Sequence, residues 1–73
     1  MIKLKRINGT EFLLNPDMIM QVEARPDTVI TLSDETKYVV ADSVDEVYDK
    51  IVQFRADILT RYRKDYKNNI AKD

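Results

Sequence analysis

Seventy-three residues with 12 basic and 13 acidic side chains, net charge −1, make one domain at most. A chain this short buries only about 60% of the surface that its unfolded form exposes. With no cysteine and no histidine, it has no disulfide, thiolate zinc site or thiol nucleophile, and lacks the commonest metal ligand and general base. Of the usual supports for a marginal core, association is the one left.

Ile2 to Ile7 (IKLKRI) alternates apolar and basic residues, the period-2 pattern of a half-buried strand. Asn8-Gly9 follows, the strongest short-range hairpin signal, and predicts a type I′ turn with φ > 0 at both positions. Thr10 to Leu14 (TEFLL) is the returning strand. Asn15-Pro16-Asp17 breaks the chain, because proline has no donor for a ladder and Asn and Asp favour turns.

Met18 to Arg25 (MIMQVEAR) alternates again. Met18, Met20, Val22 and Ala24 fall on one side and Ile19, Gln21, Glu23 and Arg25 on the other. Pro26-Asp27 turns the chain into the β-branched run Thr28 to Ser33 (TVITLS). Asp34-Glu35-Thr36 turns it back into Lys37 to Ala41 (KYVVA). Five strands joined by short turns predict an antiparallel β-meander.

The period then changes. Ser43 with Glu46 is a capping box, and Asp42, Asp45, Glu46 and Asp49 crowd the positive end of a helix dipole. Apolar residues recur at 44, 47, 48, 51, 52, 58, 59, 62 and 66, which is helical spacing. The expectation is an α+β single domain over residues 1–73, with a small five-strand β-meander over 1–41. One long C-terminal helix occupies 43–68, overhanging and fraying at its end. About 24 helical residues span roughly 36 Å, against ~17–27 Å for strands of five to eight residues. The sheet can therefore cover Val44 to about Leu59. Leu59, Tyr62, Tyr66 and Ile70 are candidate self-association residues. A second copy covers the overhang, a different protein does, or it frays.

Sites for chemistry are scarce. The acids at 42, 45, 46 and 49 could offer oxygen ligands to a divalent cation, but they sit in a first helical turn, where capping explains them. One glycine does not build a phosphate-cradling loop, and a nucleophilic triad needs a histidine. No catalytic residue, cofactor or metal is expected. No apolar run reaches the ~20 residues that cross a bilayer, so a cytoplasmic protein is expected. Residues 55–73 hold six basic and three acidic groups, and Lys3, Lys5 and Arg6 add a basic strand edge. Such groups make phosphate contacts, yet the pI of about 5.3 is far below that of dedicated binders. If the helix covers one sheet face, the other carries Glu23, Arg25, Thr31 and Lys37, with Val29 and Val39 among them. That face is a candidate partner surface.

MIKLKRINGTEFLLNPDMI, VEARPDTVITL and YVVADSVDEVYDKI, in that order and spacing, resemble the bacterial flagellar family FlbD, also called SwrD. The resemblance covers residues 1 to about 54. Asp34-Glu35-Thr36 departs from it, standing where the family often uses a glycine-bearing turn, and nothing is carried onto the tail from Arg55. It implies a non-enzymatic accessory protein, cytoplasmic and peripheral at the flagellar motor. Its partners would be motor or stator proteins, and its role to support motor power in swimming and swarming. The segment IMQVEARPDTVITLSDETKYVVADSVDEV also resembles part of the LytTR DNA-binding domain. The alternative is therefore a small nucleic-acid-binding regulator, although no nucleic-acid partner is expected on charge.

Overall fold

A computed structural model describes the backbone of residues 1–71 and the side chains of residues 1–60. It has β1 (Ile2–Lys5), β2 (Glu11–Leu14), a 3₁₀ turn (Pro16–Met18), β3 (Ile19–Ala24), β4 (Thr28–Leu32), β5 (Lys37–Val40) and α1 (Val44–Ala71). Five antiparallel strands followed by one helix is the α+β arrangement that the alternation pattern predicts.

The strands fall into two groups, β1-β2 and β3-β4-β5. The cause lies at Pro16, where Asn15 caps a 3₁₀ turn by accepting the Asp17 N–H on Oδ1 at 3.0 Å. The chain leaves β2 there without pairing it to β3. Instead β1 lies beside the end of β5, through an antiparallel bridge Arg6↔Val40 and an Ala41 N–H to Lys5 C=O bond of 2.6 Å. The spatial order is β2-β1-β5-β4-β3.

Two hairpins share one turn geometry, and it is not type I′. In the first, Arg6 N–H donates to Thr10 C=O (2.8 Å) and Gly9 N–H to Arg6 C=O (2.9 Å), enclosing Ile7-Asn8-Gly9. Only Gly9 has positive φ, +91°, which is the three-residue loop ending in a left-handed residue. In the second, Leu32 N–H donates to Thr36 C=O (2.8 Å) and Glu35 N–H to Leu32 C=O (2.9 Å). Asn8 and Asp34 each accept the N–H two residues on, from Thr10 and Thr36, at 3.0 Å. The positional match puts Glu35, at φ 73°, where the first hairpin has its glycine. A side chain there strains the backbone. Glu35→Gly is expected to raise stability by about 0.5–1 kcal/mol, strain relief exceeding the extra chain entropy of glycine. A lower urea midpoint than wild type would contradict this.

Strict alternation in β3 fails at one point. The register shifts between Ile19 and Gln21, a β-bulge that lets both Ile19 and Val22 pack on the core. Met20 is left 72% exposed. The core itself comprises Ile2 and Leu4, Leu14, Ile30 and Leu32, Val40, and Val47 of the helix. Phe12, Tyr38, Ile51 and Phe54 close around it.

Helix α1 starts where the capping box predicts. Glu46 N–H donates to Ser43 Oγ at 3.1 Å and Ser43 N–H to Glu46 Oε1 at 3.2 Å. It packs across β1 and β3 through Val47, Ile51 and Phe54. Beyond Phe54, residues 55–60 are all exposed, so the sheet covers less of the helix than the strand lengths suggest. Among the described residues no helix is long and apolar enough to cross a membrane.

Candidate functional site

The site is built outward from the seam between the two strand groups. Past the Arg6↔Val40 bridge the ladder stops, leaving the Lys5 N–H and Lys3 C=O on the edge of β1. Side chains complete it. Asp42 Oδ1 accepts the Lys5 N–H at 2.8 Å. Lys50 Nζ donates to Lys3 C=O at 2.7 Å and pairs with Asp42 Oδ2 at 2.7 Å. One ion pair thus substitutes for ladder bonds and ties β1, the β5 end and α1 together. Burial pushes the Asp42 carboxyl up, but the Lys50 hydrogen bond, the Lys5 N–H and the Lys50 charge outweigh it and hold the group below its ordinary value. No sequence signal marks this pair as a seam. Spacing makes Asp42 look like helix-capping charge.

At the far end of the seam Arg6 lies over two aromatic rings, 4.4 Å from the Phe12 centroid and 5.2 Å from that of Tyr38. The rings are 5.2 Å apart and tilted by 37°. Arg6 therefore closes the core by stacking, and does not join Lys3 and Lys5 in a basic edge. Lys3 pairs with Glu11 at 3.8 Å.

The cross-strand register gathers the residues singled out on the sheet. Glu23↔Val29↔Val39 forms one row and Gln21↔Thr31↔Lys37 the next. These rows alternate with Val22↔Ile30↔Tyr38, which faces the core. Glu23 and Lys37 are exposed and Thr31 half-buried on the outward face, and exposed Arg25 follows just past the end of β3. Gln21, which the alternation sets on the same side as Glu23 and Arg25 but which is not among the named partner-surface residues, completes the second row. Sequence reasoning missed Met20, which only the bulge turns outward.

The overhang residues divide. Leu59 is exposed, while the side chains of Tyr62, Tyr66 and Ile70 lie outside the described residues. Leu59 does not continue the sheet-facing line of Val44, Val47, Ile51 and Phe54. At 3.6 residues per turn it aligns with exposed Tyr48 and Val52, on a second line roughly 100° round the helix.

Among the described residues, no three acids lie close enough to hold a metal ion. A shallow hollow of about 390 Å³ is lined by Ile7, Pro26, Asp27, Thr28, Val40 and Ala41, with a single carboxylate and no base to pair with it. A family model, FlbD, described as flagellar and swarming motility proteins, matches residues 1–59, which take in the whole sheet and the helix as far as Leu59. No curated protein and no solved structure gives a match.

Proposed function

Because this chain belongs to the FlbD family of flagellar and swarming motility proteins, we propose that it supports flagellar motor power by binding motor or stator proteins in the cytoplasm, without catalysing a reaction. The observation that carries the binding part is the outward face of β3-β4-β5. There Val29 and Val39 lie among Glu23, Gln21, Thr31 and Lys37, an apolar centre with charged surroundings that suits a protein partner. The exposed side of β3, loosened by its bulge, borders this face and extends it.

The alternative, a nucleic-acid-binding regulator, loses support from the placement of Arg6 over Phe12 and Tyr38, since that cation is removed from the basic strand edge. Duplex DNA retention that weakens steeply with salt would be its signature.

Exchanging the charges on the outward face separates fold from function. The Glu23→Lys/Lys37→Glu double variant keeps net charge and alters only exposed groups, so folding stability should change by about 0.5 kcal/mol or less per site. Partner affinity should fall at least ~10-fold, because each exchanged charge then meets like charge on the partner. In a deletion strain complemented with this variant, filaments should assemble while swimming torque under viscous load and swarming drop toward the uncomplemented level. Full rescue would exclude this face as the docking surface. A deletion strain with normal torque would overturn the motor role itself.

A further inference from the structure

The spatial order leaves β2 and β3 as the two edges of the sheet, and β3 is the longer, with six residues against four. Its pairing phase is set at the turn. Arg25 N–H donates to Asp27 C=O at 2.9 Å, and the register carries that phase through Glu23↔Val29 and Gln21↔Thr31. Residues of an antiparallel strand bond alternately to one side and to the other. The N–H and C=O of Val22 and Ala24 therefore point away from β4, and no group among the described residues takes them up. The core also stops short here. Val40↔Thr28↔Ala24 is one core-facing row, and its first two members are 2% and 6% exposed. Ala24 is exposed, and Val22 in the next row is half-buried. A bulge, a proline or an inward-pointing charge guards most edges. In β3 the bulge lies between Ile19 and Gln21, Pro26 comes after the strand, and Glu23 points outward, so Val22 and Ala24 are unguarded.

The residues of this edge select its occupant, because they complement themselves. Two copies of β3 pair antiparallel about a two-fold axis only where Val22 and Ala24 face one another. That leaves registers centred on Val22, Glu23 or Ala24. Centred on Glu23, the pairing opposes two carboxylates. Centred on Ala24, it sets Val22 against Pro26, which has no N–H to give. Centred on Val22, it sets Val22 against Val22, Gln21 against Glu23 twice, and Ala24 beside Met20, which is 72% exposed. A β-branched pair and two amide–carboxylate pairs then stand across the axis, with no like charges directly opposed.

We infer that two copies of this chain pair through β3, edge to edge and antiparallel, with Val22 on the two-fold axis. The two Val22 residues exchange backbone hydrogen bonds, and the second strand covers the exposed end of each Ala24 row. So short an overlap falls well below the about 800 Å² per partner of a stable interface. The pair is therefore weak, with a Kd of ~100 μM. The outward faces of the two sheets become one continuous surface. This pairing stands whether or not that surface binds a motor protein.

Light scattering should give the 8.6 kDa mass at about 10 μM and approach twice that at about 1 mM. Val22→Pro removes a free N–H and no bond to β4, so it should abolish pairing and keep the fold. Ala24→Lys places an inward-pointing charge at an exposed position and should do the same without touching the backbone. Ala24→Lys should keep native amide dispersion and associate ~10-fold or more weakly. Register is read separately. The chain has no cysteine, so Gln21→Cys and Glu23→Cys introduce the only thiols. Across the axis these two positions face each other at a Cα separation of about 4.5 Å, whereas each lies about 8 Å from its own copy. Under mild oxidation a mixture of the two variants should form an interchain disulfide, and neither should alone. A disulfide formed by each variant alone would overturn the inference. So would a full chain that stays monomeric at about 1 mM, or an Ala24→Lys protein that pairs like wild type.

Discussion

Asp42→Ala is expected to lower the unfolding free energy by about 3 kcal/mol, the range for breaking a buried, hydrogen-bonded charge pair. The carboxylate is 8% exposed and is held by the Lys5 N–H and the Lys50 ammonium. Lys50 is the more exposed partner and can rehydrate. The loss therefore falls on the backbone donor of β1 and on the seam that this donor closes. A domain of this size has about 4–11 kcal/mol in total, so much of its stability would go. At about 4–8 °C per kcal/mol, the melting temperature should fall by roughly 12–24 °C. Asp42→Asn should lie between, since its amide oxygen still accepts the Lys5 N–H while the charge is gone.

The same residue predicts a pH dependence of definite sign. Its folded carboxyl titrates below the ordinary value, so its stabilisation is complete above an unfolded value of about 3.9 and is lost as pH falls through the folded one. Asp34 is displaced the same way, chiefly by the Thr36 hydroxyl and N–H, and contributes in wild type and variant alike. Wild type should lose stability below about pH 4, and Asp42→Ala should lose less over that interval. Equal acid slopes for the two proteins would show that the Asp42–Lys50 pair does not close the seam.

What could be read from residues alone was whatever depends on neighbours in the chain. Alternation in IKLKRI and TVITLS reports which side of a strand is wet, and Ser43 and Glu46 report a helix start, because each is a local bond or a local periodicity. The outward rows through Glu23, Thr31 and Lys37 were legible for the same reason, up to a register that only pairing sets. The misses are non-local. Met20 bulges because Ile19 and Val22 must both reach one core. Lys5, Asp42 and Lys50 meet across 37 and 8 positions, and no window along the chain contains them. Apolar positions at helical spacing were visible as one list. Their division into two lines appears only when the sheet takes one of them.

Val47→Asp is expected to unfold the domain, and Tyr48→Asp, one residue on, to leave it folded. Val47 is fully buried, the single such position of α1 among the described residues, set among strand residues of the core with no basic group in the cluster to pair a carboxylate. An unpaired charge there costs several kcal/mol, comparable with the whole stability of so small a domain. The helix cannot slide to expose it, because the Ser43–Glu46 cap and the Asp42–Lys50 pair fix its start. Tyr48 already meets solvent, so a carboxylate there stays hydrated. The spectra should differ accordingly: a collapsed amide dispersion and lost helical signal for Val47→Asp at 25 °C, and native dispersion for Tyr48→Asp. Val47→Ala, which removes apolar volume without adding charge, should cost about 1–3 kcal/mol and remain folded. A native spectrum for Val47→Asp would mean that the helix does not dock through this line. The two faces of α1 would then have to be exchanged, with Tyr48, Val52 and Leu59 against the sheet.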